Sequence, residues 1–522
     1  MITLDSAAAV NALADSYWEA YLEQNPTTAT VYGDDRWDDR LADPSPAGRR
    51  AARALRDATL AELATIPVVR LAVEERITPG RHAGPPGEAA GAAGCLRAVH
   101  RRSRGPSRGG ADDRHDRPPR IVAERTISQA ERLLAVAADE SPIVTGARLA
   151  DGDDARRARV AAVVRDVVNP ALARYVEALR GPYFAATRED PGLWSAPDGA
   201  ARYRMAIRTW TSLDLDPADV HQIGLEELAA LDADRLSIAR AAGFDSVAAY
   251  RAHLASDPAN QVVAKEDLVA RANEDIARAL AVAPRWFGRL PVAPCQVRPV
   301  EPFMERDAPP AFCYPPTIDD SRPGIYFVNT YDLPTRRLSA LASTTYHEAV
   351  LGHHFQIALE METPGLPAFR RLGGRMVGSA YAEGWGLYSE RFADEMGLYR
   401  TDAERFGMLE GQAWRAVRLI VDTGIHALRR DRAWAVDLLR EGAGLSATDA
   451  GIEADRYIVW PGQALTYKSG HREITRLRTE LAARDGDAFD LRAFHDAVLG
   501  HGSLPLATLA RELPSWVAPT AG

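Results

Sequence analysis

Residues 345–356 read Thr-Tyr-His-Glu-Ala-Val-Leu-Gly-His-His-Phe-Gln, and they hold three of the chain's twelve histidines within eight positions. The stretch lies in a run of helix-favouring residues that begins near Thr335. A lone histidine is more often a core or surface residue than a ligand, but a cluster beside a glutamate is typical of a metal site. The stretch therefore predicts an active-site helix near residues 336–363 that carries metal-binding histidines.

The spacing of these histidines differs from the familiar His-Glu-x-x-His motif, in which two histidines four residues apart share a helix face. Position i+4 from His347 is Leu351, and the next histidines stand at i+6 and i+7. On a regular helix, i+6 points about 120° away and i+7 lies about 10 Å along the axis. Gly352 predicts a bulge that brings a later histidine level with the first. We expect His353 to be the second ligand, with His354 as the alternative.

A second acidic segment, YAEGWGLYSE, follows at residues 381–390. We predict Glu383 as the third ligand, because two histidines and one carboxylate hold zinc and leave a position for water. Glu348 is adjacent to a ligand, and the same helical geometry keeps it from the metal, so we expect it to act as the base for metal-bound water. Glu390 and Gln356 are expected to orient the ligands from behind. The alternative for the two acidic residues of the segment is an exposed helix face.

Candidates for substrate contacts lie in two further segments. The run RYIVWPGQALTYK, residues 456–468, contains Tyr457 and Tyr467, either of which could donate a hydrogen bond to a developing oxyanion. Lys468, one of two lysines in the chain, could bind a substrate carboxylate. The alternative is that Tyr467 packs in the core and Lys468 is solvated. Further substrate-binding candidates are His471, Tyr326 and Asn329, the last two on a predicted strand with which an extended peptide could pair.

Hydrophobic periodicity predicts a mainly helical protein with a small β-sheet beside the active-site cleft. Helical patterns cover most of the chain, and Pro170 is expected to kink or end one of these helices. Residues 291–335 are rich in proline and contain the short β-like runs CQVRPVEP and RPGIYFVNTY. The predicted parts are an N-terminal helical part at 1–78, an atypical segment at 79–120, and a helical catalytic region at 121–522.

The atypical segment, residues 79–120, is rich in arginine, glycine, alanine and proline and contains no aromatic residue. Such a composition buries too little apolar surface to offset the entropy of ordering. It predicts either a disordered arginine-rich linker or a local frameshift in a GC-rich gene. A nucleic-acid-binding arm is a third interpretation, although aromatic residues for base stacking are missing.

Overall composition favours a soluble globular enzyme with a small substrate. The net charge of −9 gives no general reason to bind nucleic acid. Three scattered cysteines are too few for a disulfide scaffold, which suits a reducing cytoplasm. The N-terminus has no signal-peptide pattern, and no apolar stretch approaches the roughly 20 residues that cross a bilayer. We therefore expect a cytoplasmic protein without a membrane partner, and the oligomeric state stays open.

The motifs HEAVLGHHFQ, YAEGWGLYSE and RYIVWPGQALTYKSG together resemble the DUF885 family of bacterial proteins, which is related to gluzincin-type metallopeptidases. The resemblance implies a mostly helical metallohydrolase fold with one bound zinc ion. It also implies that His347, His353 and Glu383 are ligands and that Glu348 is the catalytic base. Two positions depart from the pattern, because Leu351 stands where the family usually has proline and His471 stands where glutamine is common.

These patterns together predict a zinc-dependent hydrolase that cleaves an amide bond in small peptides or peptide-like metabolites. Carboxypeptidase action is one form of this prediction. Other divalent metals would suit the same residues. One alternative is a biosynthetic tailoring metallohydrolase that acts on a non-peptide amide or ester. A second alternative is a catalytically degenerate metal-binding protein.

Overall fold

The computed structural model describes residues 2–66, 117–145, 153–302, 304–306, 308–374 and 379–517. The atypical segment at 79–120 lies outside these ranges except for its last four residues, so its interpretation stays a prediction. Within the described part of the chain, no helix is long and apolar enough to cross a membrane.

Within the described residues of the N-terminal part, three helices are present, and they pack on the catalytic region. Trp18 and Leu22 are buried in one cluster with Phe369 and Leu372 from much later in the chain. Ser45 begins the third helix as an N-cap, since its hydroxyl accepts hydrogen bonds from two backbone N–H groups of the first turn. The helices are α1 (Ile2–Gln24), α2 (Pro26–Val31) and α3 (Pro46–Leu63).

In the described residues after α3, eight further α-helices precede the sheet. The regular α-helix is interrupted just before Pro170, as expected, because a π-helical turn at Val164–Val168 leads into the helix whose first turn holds the proline. The helices are α4 (Arg120–Ala135), α5 (Pro142–Thr145), α6 (Asp154–Val163), α7 (Asn169–Ala178), α8 (Gly199–Thr211), α9 (Pro217–Ala241), α10 (Val247–Ser256) and α11 (Lys265–Val282).

A small sheet follows, with strands β1 (Cys295–Pro299), β2 (Ala311–Tyr314) and β3 (Gly324–Val328). The strand order is β1-β3-β2, in which β3 pairs parallel with β1 and antiparallel with β2. The sequence predicted β1 and β3. It did not predict β2, whose four residues lie between proline-rich segments. All five residues of β3 are buried, so the central strand leads directly from the core to the histidine segment.

Ten helices complete the chain around a long buried helix, α16, which packs against α9, α12 and α17, while α15 pairs with α19. This architecture confirms the predicted fold class, mainly helical with a small sheet beside the histidine segment. The helices are α12 (Leu338–Glu348), α13 (His353–Glu362), α14 (Ala368–Leu372), α15 (Ala380–Glu395), α16 (Asp402–His426), α17 (Arg432–Ala443), α18 (Ala447–Val459), α19 (Thr466–Asp485), α20 (Leu491–Leu499) and α21 (Leu506–Trp516).

Candidate metal centre

The histidine segment contains a full break between two helices. The prediction of one helix with a bulge is wrong, because α12 ends at Glu348 and α13 begins at His353. In the break, Leu351 has a φ of +86°, a value that proline cannot adopt. Gly352 has a negative φ, and its contact explains the glycine: a Cβ there would lie 1.9 Å from the His347 carbonyl oxygen. The glycine therefore permits a close approach of backbone to backbone.

Helix α15 holds this break in place with two hydrogen bonds. The indole N–H of Trp385 donates to the carbonyl of Leu351 at 2.7 Å. The hydroxyl of Ser389 donates to the carbonyl of Tyr346 at 2.9 Å and so satisfies one of the carbonyls left open at the end of α12. The helix that carries the predicted acidic ligand thus also fixes the histidines.

Two imidazole nitrogens converge on one carboxylate oxygen. Oε2 of Glu383 lies 3.5 Å from Nε2 of His347 and 3.3 Å from Nε2 of His353. Two ligands at 2.0–2.1 Å from a tetrahedral zinc ion are about 3.3 Å apart, so these separations fit a shared ion. The oxygen is buried and has no hydrogen-bond partner among the described residues. The donor set of two nitrogens and one oxygen therefore fits a divalent metal.

Glu348 shares this space. His347, Glu348 and His353 each offer one potential ligand atom, and these three atoms lie within 4.8 Å of one another. The expectation that helical geometry keeps Glu348 from the metal is therefore wrong, because the break after Glu348 changes that geometry. Glu383 remains the better third ligand, since its oxygen lies at tetrahedral spacing from both histidines. Glu348 is close enough to contact a water molecule at the same centre.

Glu390 lies behind His347, as the sequence predicted. It is fully buried, and its Oε1 accepts a hydrogen bond from Nδ1 of His347 at 2.8 Å. Because a carboxylate only accepts, Nδ1 carries a proton, and Nε2, which faces the centre, is the nitrogen that would bind a metal. Ser343 donates to the other oxygen at 3.0 Å, and Arg415 lies 3.1 Å from Oε1. Three groups from three helices, Glu390, Ser343 and Arg415, thus fix the orientation of the ligand.

The electrostatics of the centre favour positive charge. Burial alone lowers the pKa of His347, but the carboxylates of Glu383 and Glu390 outweigh it and raise the pKa to about 9. Burial raises the pKa of Glu383, but the two histidines outweigh it and hold the pKa well below its usual value. The carboxylates that raise the pKa of His347 would also stabilise a divalent cation bound at the same point.

His354 and Gln356 face away from the centre. Nε2 of His354 donates to the carbonyl of Ala293 at 2.9 Å, and burial lowers its pKa. The alternative ligand His354 is therefore excluded by its direction. The amide of Gln356 donates to Glu360 at 2.9 Å and to Ser503 at 3.0 Å, so it supports the C-terminal loop and not a ligand.

The two tyrosines differ in position. Tyr467 lies beside the centre, with its ring stacked on that of His347 at 6.2 Å between centroids. Tyr457 is buried, and its hydroxyl donates to Glu453 at 2.6 Å and accepts from Arg418 at 2.9 Å. Its hydroxyl is therefore committed to an internal network, which corrects its predicted role as an oxyanion donor.

The two residues predicted to contact substrate near β3 are structural. Tyr326 is fully buried, with its hydroxyl 3.4 Å from that of Thr345. Asn329 is buried, and its amide donates to the carbonyls of Glu305, Ala308 and Pro309. Both edges of β3 are occupied by neighbouring strands, so an extended peptide cannot pair with it. These predictions failed because strand order cannot be determined from a single strand's sequence.

Lys468 and His471 lie inside the helix packing. Lys468 is only 1% exposed, and its ammonium donates to Gln412 at 3.0 Å and lies 3.5 Å from Glu227. Burial lowers its pKa to about 8. It is therefore neither solvated nor open to a substrate carboxylate. His471 is partly buried, and burial and the nearby Lys468 hold its pKa well below its usual value.

Sequence reasoning missed several residues that shape the centre. Ser343 stands one turn before His347 on the same helix face, so its spacing could have identified it. Arg415 comes from a different helix and carries no local signal. A Cβ on Gly386 would lie 2.7 Å from the ring of His347, so this glycine makes room for the ligand.

The sequence matches the family described as bacterial proteins of unknown function, DUF885, over residues 102–513. The chain belongs to the DUF885 family. This confirms the resemblance noted from the three motifs, and the match covers the whole candidate centre. Among curated proteins, none matches this DUF885 chain.

Solved structures share the fold of this DUF885 chain. A candidate lipoprotein from Colwellia psychrerythraea is similar with a TM-score of 0.86 and 26% identity, covering 99% of this chain and 100% of its own. A candidate lipoprotein of unknown function from Shewanella oneidensis gives a TM-score of 0.68 at 19% identity, covering 96% and 98%. A carboxypeptidase from Pyrococcus furiosus aligns over 98% and 93% with a TM-score of 0.42 and 13% identity, a likeness too distant to inform the site.

Proposed function

We propose that the chain is a zinc-dependent hydrolase that cleaves an amide bond in small peptides or peptide-like metabolites. The observation that supports this most is the convergence of His347 and His353 on one oxygen of Glu383, at 3.5 and 3.3 Å, with Glu348 in the same space. Two histidines and one glutamate are a ligand set of catalytic zinc sites. Such a set leaves room for water and substrate.

Each residue has a definite task in this proposal. His347, His353 and Glu383 would hold a zinc ion, which would supply a water of pKa about 7 and would polarise the substrate carbonyl. Glu348 accepts a proton from the attacking water and passes it to the leaving amine. Tyr467 stacks beside His347, and its hydroxyl accepts from Arg456 at 3.5 Å, so its own proton is free to stabilise the developing oxyanion. Glu390 holds the imidazole of His347 in one orientation.

The decisive experiment combines metal analysis with turnover. Purified protein is analysed for metal content and then assayed on a peptide library before chelation, after chelation, and after zinc is restored. We expect about one zinc ion per chain and activity that chelation removes. Peptides left intact while a non-peptide amide or ester is cleaved would point to a tailoring hydrolase. Metal without turnover on any substrate would point to a metal-binding protein.

Glu348→Gln separates catalysis from metal binding. We expect this variant to retain zinc and to lose turnover by about 10²-fold or more, the range of general acid–base catalysis. Glu395→Gln, a change of an exposed residue on α15, is the matched control and should behave as the unaltered protein. Equal turnover in the Glu348 variant and the control would refute the assignment of the base.

We also propose that the enzyme works in the cytoplasm and without nucleic acid or membrane partners. The net charge of −9 disfavours phosphate backbones, and three cysteines suit a reducing compartment. Two solved relatives are described as candidate lipoproteins, which makes fractionation of the native host the appropriate test. Recovery of the protein in a membrane or periplasmic fraction would contradict this part of the proposal.

A further inference from the structure

Two arginines near the centre share a single carboxylate. Nη2 of Arg418 lies 3.2 Å from Oε2 of Glu453, and Nη1 of Arg456 lies 3.1 Å from Oε1 of the same residue. Among the residues described, neither arginine forms an ion pair with any other acid. Two guanidinium groups against one carboxylate leave one positive charge without compensation.

This excess charge lies away from bulk water. The side chain of Arg418 is 3% exposed and that of Arg456 is 25% exposed. Nη1 of Arg418 is buried and has no hydrogen-bond partner among the described residues. Asp422, a further carboxyl group that interacts with Arg456, has its oxygens occupied by Tyr203 and Gly462, and burial raises its pKa to about 7. An uncompensated charge in such surroundings is costly, so an anion would stabilise it.

The arginine pair adjoins the metal centre through Tyr467. The guanidinium carbon of Arg418 lies 4.1 Å from the centroid of the Tyr467 ring, which itself stacks 6.2 Å from the ring of His347. Nη2 of Arg456 lies 3.5 Å from the Tyr467 hydroxyl. The Tyr467 ring therefore lies between Arg418 and the ligand His347.

We propose that Arg456, whose guanidinium lies beside the Tyr467 hydroxyl, binds the free C-terminal carboxylate of a peptide whose last amide bond lies at the metal centre. This inference rests on the proposed hydrolase function and defines its substrate class. Arg456 contacts the carboxylate because it is the more exposed of the pair, and Arg418 adds its charge from behind the tyrosine ring. Lys468, which the sequence predicted to bind this carboxylate, is buried among helices.

The test measures binding without turnover, using the zinc-loaded Glu348→Gln protein. N-acetylated dipeptides are offered as pairs that differ only in a free or an amidated C-terminus, and affinity is measured by calorimetry. We expect the free acid to bind about tenfold more tightly or better, the range for hydrogen bonds to charged groups. Adding Arg456→Gln should abolish this difference, whereas Arg456→Lys should retain part of it.

Arg476→Gln, a change of an exposed arginine on α19, is the matched control and should keep the preference for the acid. Tyr467→Phe provides a second variant should Arg456→Gln fail to fold, and it should weaken acid binding more than amide binding. Equal affinity for acid and amide in the parent protein would overturn the inference, as would inorganic phosphate competing more strongly than the acid. Turnover of peptides by the enzyme with active Glu348, together with no preference for the acid, would refute this inference and leave the hydrolase proposal intact.

Discussion

Gly386 shows how a single missing methyl group shapes the candidate centre. A Cβ at this position would lie 2.7 Å from Cε1 and 2.9 Å from Nε2 of His347. We therefore expect Gly386→Ala to push the imidazole away from Glu383 and to weaken zinc affinity by about 10- to 100-fold, as loss of ligand orientation commonly does. A competitive zinc titration measures this change. The melting temperature of the metal-free protein should fall much less.

Gly384→Ala is the matched control, two residues away on the same helix. Its added Cβ would lie 2.4 Å from the carbonyl carbon of Gly470, where two helix backbones meet. Because backbone cannot yield as a side chain can, this variant should lose about 1–3 kcal/mol of stability. Equal effects of the two variants on zinc affinity and on melting temperature would contradict the argument that Gly386 serves the ligand and Gly384 serves helix packing.

At this scale the sequence predicted residues whose role depends on type and spacing. His347, His353 and Glu383 stand close together in the structure as their motif implied. Tyr457 and Lys468 also have functional groups that could bind a substrate, but both side chains are buried. They interact with residues of α16 and α9. No local pattern reports such partners, because burial is decided by the packing of distant segments.

Among the elements, helices α12, α15 and α16 meet at Glu390. Ser343 and His347 approach it from α12, and Arg415 and Gln412 approach it from α16. Lys468 of α19 joins the network by donating to Gln412 at 3.0 Å. One of the chain's two lysines is thus explained as support for the carboxylate behind a ligand.

Glu390→Gln should therefore disturb both binding and stability. We expect zinc affinity to fall by about 10- to 100-fold, because the charge that orients His347 is lost. The buried guanidinium of Arg415 loses its ion-pair partner, which should lower the free energy of unfolding by about 3–5 kcal/mol. Zinc titration and urea unfolding measure the two effects. Glu395 is an exposed residue on the same helix, so Glu395→Gln should change neither zinc affinity nor the free energy of unfolding. A Glu390→Gln protein as stable as that control would contradict the argument.

Hydrophobic periodicity predicted the helices but not their break. It predicted one helix over 336–363, whereas the chain stops at Glu348 and resumes at His353. A positive φ at Leu351 is uncommon for a branched residue, so composition gives no sign of it. The conformation is held by Trp385 from another element, and this explains why the segment alone could not reveal it.

At the scale of the whole molecule, the buried histidines His426 and His495 are hydrogen-bonded in the neutral form. Nδ1 of His495 donates to the carbonyl of Trp286 at 2.9 Å, and Nε2 accepts from the hydroxyl of Tyr388 at 2.9 Å. His426 has the opposite tautomer, since Nδ1 accepts from the backbone N–H of Leu193 at 3.1 Å and Nε2 donates to the carbonyl of Tyr457 at 3.0 Å. In each case, protonation of the second ring nitrogen would remove the acceptor of one of these hydrogen bonds.

Burial therefore lowers the pKa of His426 to about 4 and that of His495 to about 3, from 6.5. Because the unfolded chain takes up these protons below pH 6.5 and the folded chain does not, their stabilisation is present above pH 6.5. It is lost as the pH falls toward 4, by about 1.4 kcal/mol per pH unit for each histidine. Burial raises the pKa of Asp422 to about 7, so its contribution to the free energy of unfolding falls as the pH rises. This offsets the contribution of about one histidine.

Urea unfolding of the metal-free protein between pH 4.5 and 6.5 tests this argument, because chelation removes the pH dependence of metal binding. We expect the free energy of unfolding to rise with pH in the parent protein. His495→Gln should reduce that slope by about 1.4 kcal/mol per pH unit, because the unfolded chain then takes up one proton fewer. His253→Gln, at an exposed position, should leave the slope as it is. A parent slope that His495→Gln does not change would mean that His495 is protonated in the fold, which the donor at Tyr388 and the acceptor at Trp286 argue against.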